Sequence, residues 1–145
     1  MSNYELEESD VLRLDFGKLE KYFRKGDKSQ NIKIMPVIVQ DINTKEVLIL
    51  GYANEEVLRY SLEKGVTAFW STSRNELWVK GLTSGNTLQL IEVQVNCKQN
   101  SLLYLVKPVN NCGACHTQEN GQYRKSCFYR QITVRNKKHQ LGRTT

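Results

Sequence analysis

No stretch of this 145-residue chain approaches the roughly 18 consecutive apolar residues that a membrane-spanning helix needs. The N-terminus, MSNYELEESD, is acidic and lacks the basic start and apolar centre of an export signal. Together these absences point to a cytoplasmic protein with no membrane partner. Internal repeats and a second domain are missing as well. Cysteine and histidine are scarce, at four and two residues. A chain this long can bury a core without disulfide staples, and in a reducing compartment clustered thiols more often bind metal than one another. Carboxylates are outnumbered, 15 against 21 lysines and arginines, for a net charge of +6. Four of those cations, Arg135, Lys137, Lys138 and Arg143, fall near the C-terminus and read as a solvated basic tail. Nucleic acid is therefore not the expected partner, whereas a pocket for a phosphorylated small molecule would use the remaining cations well.

The scarce residues are not spread evenly. The segment NNCGACHTQENGQYRKSCFYR, residues 110–130, holds Cys112, Cys115, Cys127 and His116. Cys97 lies upstream, in a turn between two strand-like runs. Zinc accepts four thiolates as a closed structural site, or three protein ligands with water in the fourth place as a catalytic one. Spacing alone leaves both open and leans to the closed knot. His116, directly after Cys115, is the residue that argues otherwise, as a ligand or as a base facing a metal-bound water.

Hydrophobic periodicity gives an α+β chain with a largely antiparallel sheet and one main helix. Residues 34–40 and 47–53 read as a hairpin across the turn DINTKE. Asn54 is a helix N-cap followed by Glu55 and Glu56; Leu58 and Leu62 share one face, and Gly65 is the stop. VTAFWST, LWVKG, TLQLIEVQV and LLYLVKP follow as strands, and FYRQITV is expected to close the sheet. The organisation is an arm over 1–33, containing a helical or extended stretch at 11–25 and a GDKSQN linker. A domain over 34–134 and the tail over 135–145 follow.

A second dense stretch, FWSTSRNELWVKGLTSGN, interleaves Ser71, Ser73, Arg74, Lys80, Ser84 and Asn86 with Trp70 and Trp78. Hydroxyls, a guanidinium and glycines suit phosphate, and an indole face suits a purine. A polar hairpin with its tryptophans in the core fits the same letters equally well.

PVIVQD (36–41), YANEEVL (52–58), WSTSRNELWVKGLTSGN (70–86), ACHT (114–117) and SCFYR (126–130) together resemble the phosphoribosyl-AMP cyclohydrolase family of histidine biosynthesis. The resemblance runs from about Ile34 to Arg130. It implies a zinc hydrolase in which hydroxide on the metal attacks C6 of an adenine ring carrying a phosphoribosyl group on N1, and the N1–C6 bond opens. Cys97, Cys115 and Cys127 would be the zinc ligands, the first from one subunit and the other two from its partner. The resemblance thus implies an intertwined homodimer with zinc at the subunit interface. His116 would move the proton of the water. Arg74, Lys80, Ser84 and Asn86 match the block associated with the nucleotide substrate, and Ser71, Ser73 and Trp78 from the same stretch join them as candidate contacts.

The chain also departs from the family. There the first cysteine sits in an Asp-Cys-Asp-x-Asp triplet that binds magnesium; here the place reads Asn96-Cys97-Lys98-Gln99-Asn100. Magnesium depends on carboxylates, so its site is expected to be lost. Lys98 either meets a substrate phosphate directly or marks a hydrolase of a related purine or other amidine-like ring. Eleven residues separate Cys115 from Cys127, a longer spacer than is usual in the family. Cys112 would quench catalysis if it filled the open coordination place, and is expected to be a bystander. A catalytically silent, zinc-stapled module that binds a nucleotide or RNA is the alternative of a different class.

Overall fold

The computed structural model describes residues 2–20, 33–133 and 141–144. The GDKSQN linker and the tail cations Arg135, Lys137 and Lys138 lie outside these residues. Strand β1 (Met35–Asp41) alternates cleanly, burying Met35, Val37 and Val39 on one face. It forms the expected hairpin with β2 (Val47–Ala53). The turn is built on Asp41, whose carboxylate accepts the amides of Asn43 at 2.8 Å and Thr44 at 3.1 Å.

Asn54 caps the main helix by accepting the Val57 amide at 2.8 Å. Counting a short α1 (Asn3–Glu7) before it, this helix is α2 (Glu55–Lys64), and it ends at Gly65 in the left-handed region. Val57 and Leu58 enter the core, but Leu62 is 58% exposed, so the apolar stripe expected through both leucines reaches only halfway along the helix. The upstream arm lies beside it. Leu14 and Phe16 pack against the core and, with Leu12, line a groove along Leu58 and Leu62. Of the stretch expected as a helix or arm, residues 11–19 run as an arm through a turn and Glu20 is helical.

β3 (Ala68–Ser71) and β4 (Glu76–Val79) form a separate hairpin, then β5 (Leu88–Val95) and β6 (Leu102–Pro108) return to the first pair. The main sheet has the order β2-β1-β6-β5. Two of its three pairings are antiparallel, as expected, but β1 and β6 run parallel. Helix α2 and the β3–β4 hairpin intervene before β5, so β6 reaches the free edge of β1 travelling in the same direction. The last predicted strand is also corrected. Residues 130–132 form β9 (Arg130–Ile132), which pairs with β10 (Leu141–Arg143) in a ribbon of its own and does not close the main sheet. Between them and β6 lies a small hairpin of β7 (Gln118–Glu119) and β8 (Gln122–Tyr123).

The core lies on one face of the main sheet, under α2 and the β3–β4 hairpin, and includes Val37, Val39, Val57, Phe69, Leu102, Tyr104 and Val106. The other face is less covered. Ile38 pairs laterally with Leu50 and Leu103, and Ile38 and Leu50 are 40% and 51% exposed. Among the described residues no helix is long and apolar enough to cross a membrane.

Candidate active site

The residue-poor chemistry of this chain gathers at one cleft of about 410 Å³, the size range of small-molecule sites. Its walls are the end of β4 with Trp78 and Lys80, the loop of Ser84 and Asn86, and the cysteine loop with Cys115, His116 and Cys127. The cysteine loop is sewn in place by backbone. The Cys127 amide donates to the Leu48 carbonyl at 2.8 Å, tying the loop to β2. Ala114 and Cys115 donate to the carbonyls of Lys125 and Arg124 at 3.0 and 2.9 Å. Ser126 adds a hydroxyl bond to the Val47 carbonyl at 2.7 Å.

Cys115 and Cys127 adjoin. Burial acts to raise the Cys115 thiol, but its net shift is downward. The Thr117 hydroxyl, 2.9 Å from the sulfur, the Thr117 amide, the Cys127 thiol and the Arg124 guanidinium all favour its thiolate. Burial and the neighbouring Cys115 sulfur push Cys127 up to about 11. Of the two, Cys115 is thus the more readily ionised thiol. Lys80 is only 6% exposed, and burial lowers its pKa while the three nearby sulfurs, of Cys112, Cys127 and Cys115, oppose that fall. Its ammonium donates to the Asn86 carbonyl at 3.0 Å. Lys80 is thus a buried amine close to the three sulfurs.

Asn86 is the polar group with spare capacity. Its Nδ2 is buried, lines no hydrogen bond to protein, and belongs to a residue on the cleft wall. A buried donor without a partner costs free energy unless a ligand or water accepts from it. Cys112, by contrast, is spoken for: its thiol donates to the Thr87 carbonyl at 3.3 Å, it packs against the core, and it is not on the cleft wall.

Ser71, Ser73 and Arg74 come from the same dense stretch but sit at the far end of the β3–β4 hairpin, away from the cleft-lining residues. There the two hydroxyls lie 3.3 Å apart, the Arg74 amide donates to Ser71, and the Arg74 guanidinium pairs with Glu76 at 3.5 Å. The hairpin carries Trp78 and Lys80 to one end and these three to the other.

Cys97 and Lys98 are exposed on the β5–β6 turn, also outside the cleft of their own chain. Asn96 closes that turn. Its side-chain oxygen accepts the amides of Asn100 at 2.8 Å and Ser101 at 3.0 Å, and its Nδ2 donates to Asn100 Oδ1 at 2.7 Å. Gln99 is buried and reaches the arm: Nε2 donates to the Val11 carbonyl at 2.7 Å, Oε1 accepts the Arg13 amide, and its carbonyl accepts the Asp15 amide at 2.8 Å. Among the described residues, no group of three His, Cys, Asp or Glu is placed to hold a metal ion. Two candidate sulfur ligands adjoin, and the third stands on a separate loop.

The cleft contains a ring that the sequence reading passed over, Tyr123. The signal was present. Asn120-Gly121, with φ of 52° and 77°, is a two-residue hairpin turn between β7 and β8.

The family profile described as phosphoribosyl-AMP cyclohydrolase matches residues 49–129. Among curated proteins, the chain is 50% identical over 99 residues to a phosphoribosyl-AMP cyclohydrolase of Archaeoglobus fulgidus, covering 68% of this chain and 85% of that protein. It is 44% identical over 114 residues to one of Cenarchaeum symbiosum, covering 79% of this chain and 99% of that protein. A histidine biosynthesis bifunctional protein HisIE of Aquifex aeolicus is 42% identical over 99 residues, which span 45% of that longer protein. The profile takes in every candidate sulfur ligand and all the cleft-lining residues, and leaves out the arm.

Proposed function

The chain belongs to the phosphoribosyl-AMP cyclohydrolase family, and from that membership we propose that it hydrolyses the N1–C6 bond of the adenine ring of phosphoribosyl-AMP, a step of histidine biosynthesis. The observation that carries this reading is the meeting of Cys115, Cys127 and His116 with the unpartnered Asn86 amide in one cleft.

Zinc is the fitting metal, since two adjoining thiols with one held toward thiolate are soft ligands already half prepared. Cys115 and Cys127 would hold it, with Cys97 of a second copy as the third sulfur. Bound there, the ion supplies Lewis acidity and water acidic enough to ionise near neutral pH. The chain's own residues supply the rest. His116, exposed on the cleft wall, takes a proton from the attacking water and returns it to N1 as the ring opens. Lys80 offsets the negative charge of the thiolates. Asn86 Nδ2 donates to a substrate oxygen or ring nitrogen, Ser84 adds a hydroxyl, and Trp78 offers a ring face.

The same reading includes a homodimer. The incompletely covered sheet face at Ile38 and Leu50, and the outward position of Cys97, both suit a second copy. Magnesium is not part of this proposal. The oxygens of Asn96 and Asn100 are engaged within their own turn, and Lys98 beside them carries the wrong charge for a dication. Lys98, reaching across with Cys97, would instead meet a substrate phosphate.

The test is an ultraviolet assay of ring opening with phosphoribosyl-AMP and zinc-loaded protein, with and without magnesium. Turnover should persist without magnesium. His116→Ala should lower kcat by about 10²- to 10⁴-fold while the protein still folds and retains one zinc per chain. Turnover unchanged in His116→Ala would remove the base assignment, and no ring opening by the wild type would remove the substrate.

A further inference from the structure

Part of the spacer between Cys115 and Cys127 is folded as the β7–β8 hairpin, and that hairpin delivers an aromatic ring to the cleft. Its turn is the Asn120-Gly121 pair, a geometry whose positive φ at the second place suits glycine. Its base is clamped. The Arg124 amide donates to the Thr117 carbonyl at 2.9 Å, and the Cys115 amide donates to the Arg124 carbonyl at 2.9 Å. On the side of Gly113 the approach is close enough that a Cβ there would lie 2.3 Å from the Tyr123 carbonyl oxygen. The backbone of Tyr123 is thus held from both sides, directly beside the sulfur loop.

The Tyr123 side chain is 38% exposed and Trp78 is 39% exposed, and both line the cleft. Trp78 already has one ring face against Phe69, with centroids 5.7 Å apart and planes inclined by 25°. The ring nonetheless stays partly exposed on the cleft. Two large rings left partly open to water in one cleft, which an unpartnered amide donor's residue also lines, suit a flat heteroaromatic ring with polar edges.

We propose that Tyr123 is a substrate-stacking residue: together with Trp78 it takes the purine ring, while Asn86 Nδ2 donates to an acceptor of the substrate. This rests on the nucleotide reading above and deepens it, since the hairpin then sets which ring the cleft accepts. Tyr123 contributes its ring face, so phenylalanine should replace it and alanine should not.

The test uses the full-length zinc-loaded protein and quenching of tryptophan fluorescence by AMP, with ribose 5-phosphate competition measured alongside. Tyr123→Ala should weaken AMP binding by about ten-fold, leave ribose 5-phosphate within two-fold or so, and raise KM for phosphoribosyl-AMP more than it lowers kcat. Tyr123→Phe should restore the AMP affinity. Equal AMP affinity in wild type and Tyr123→Ala overturns the stacking role, and so does an equal loss of AMP and ribose 5-phosphate, which would mean a collapsed hairpin. If wild-type protein binds no AMP, the nucleotide reading itself falls and the stacking role with it.

Discussion

The loop of Cys115 and Cys127 and the loop of Cys97 hold the same element in opposite ways. In the first, backbone amides tie the chain to β2 and to itself, and the two sulfurs lie close enough to shift one another's acidity. In the second, a knot of asparagine amides shapes the turn, a buried glutamine fastens it to a strand of chain more than eighty residues upstream, and the sulfur looks outward. A pair of sulfurs on one tied-down loop, Cys115 buried and Cys127 exposed on the cleft, and a lone exposed one on another loop are the two parts of one candidate site. On the function proposed above, each copy supplies what the other lacks.

The largest effect should come from breaking that complementarity. Cys97→Ser and Cys127→Ser should each be inactive alone and hold zinc poorly. Mixed and allowed to exchange subunits, they should recover about a quarter of wild-type activity, because half the dimers are mixed and each mixed dimer has one intact site. No recovery on mixing would place all three sulfurs in one chain or none in the site.

A middle-sized effect is expected at the fastening of the outer loop. Gln99→Ala removes two hydrogen bonds to the arm's backbone, worth together about 2 kcal/mol of local stability. Amide exchange in residues 11–16 should quicken, and a chelator should strip zinc faster, while the melting of the main sheet changes little. Unchanged exchange would show that the arm is held by Leu14 and Phe16 alone.

The smallest effect concerns the turn beside the inner loop, where Lys125 pairs with Asp41 at 3.2 Å and Glu46 at 3.4 Å. Burial would raise the Asp41 carboxyl, yet the amides of Thr44 and Asn43 and the Lys125 ammonium outweigh it and hold the pKa below its usual value. The stability this adds is complete above the unfolded carboxylate value, near pH 4, and is lost as pH falls through the lower folded value. Asp41→Asn should therefore cost stability at neutral pH and flatten the acid limb of the unfolding curve. A variant whose acid limb matches that of the wild type would assign the acid sensitivity to other carboxylates.

The strands were legible wherever one face is buried. The alternation of Met35, Val37 and Val39, and the runs that became β5 and β6, announced themselves by period alone. The parallel β1–β6 pairing was not legible, because nothing local records which edge a strand meets after sixty residues of intervening chain. Leu62 misled for a related reason: helical spacing says which residues share a face, not how far the core extends beneath it. At the site, residue type together with the family resemblance singles out Cys115, Cys127, His116, Lys80 and Asn86 as candidates, and all five line the cleft. Ser71, Ser73 and Arg74 carried the same kind of signal, but a four-residue strand is enough to carry them to the opposite end of the hairpin. Tyr123 is hard to read from sequence because its place in the cleft depends on the Asn120-Gly121 turn folding the spacer into a hairpin.

The clasp between Gln99 and the backbone of Val11 and Arg13 has one more consequence. Those arm residues precede the segment matched by the family profile, which begins at residue 49. On the function proposed above, a pull on the first dozen residues would therefore reach the turn of Cys97 through a short run of hydrogen bonds.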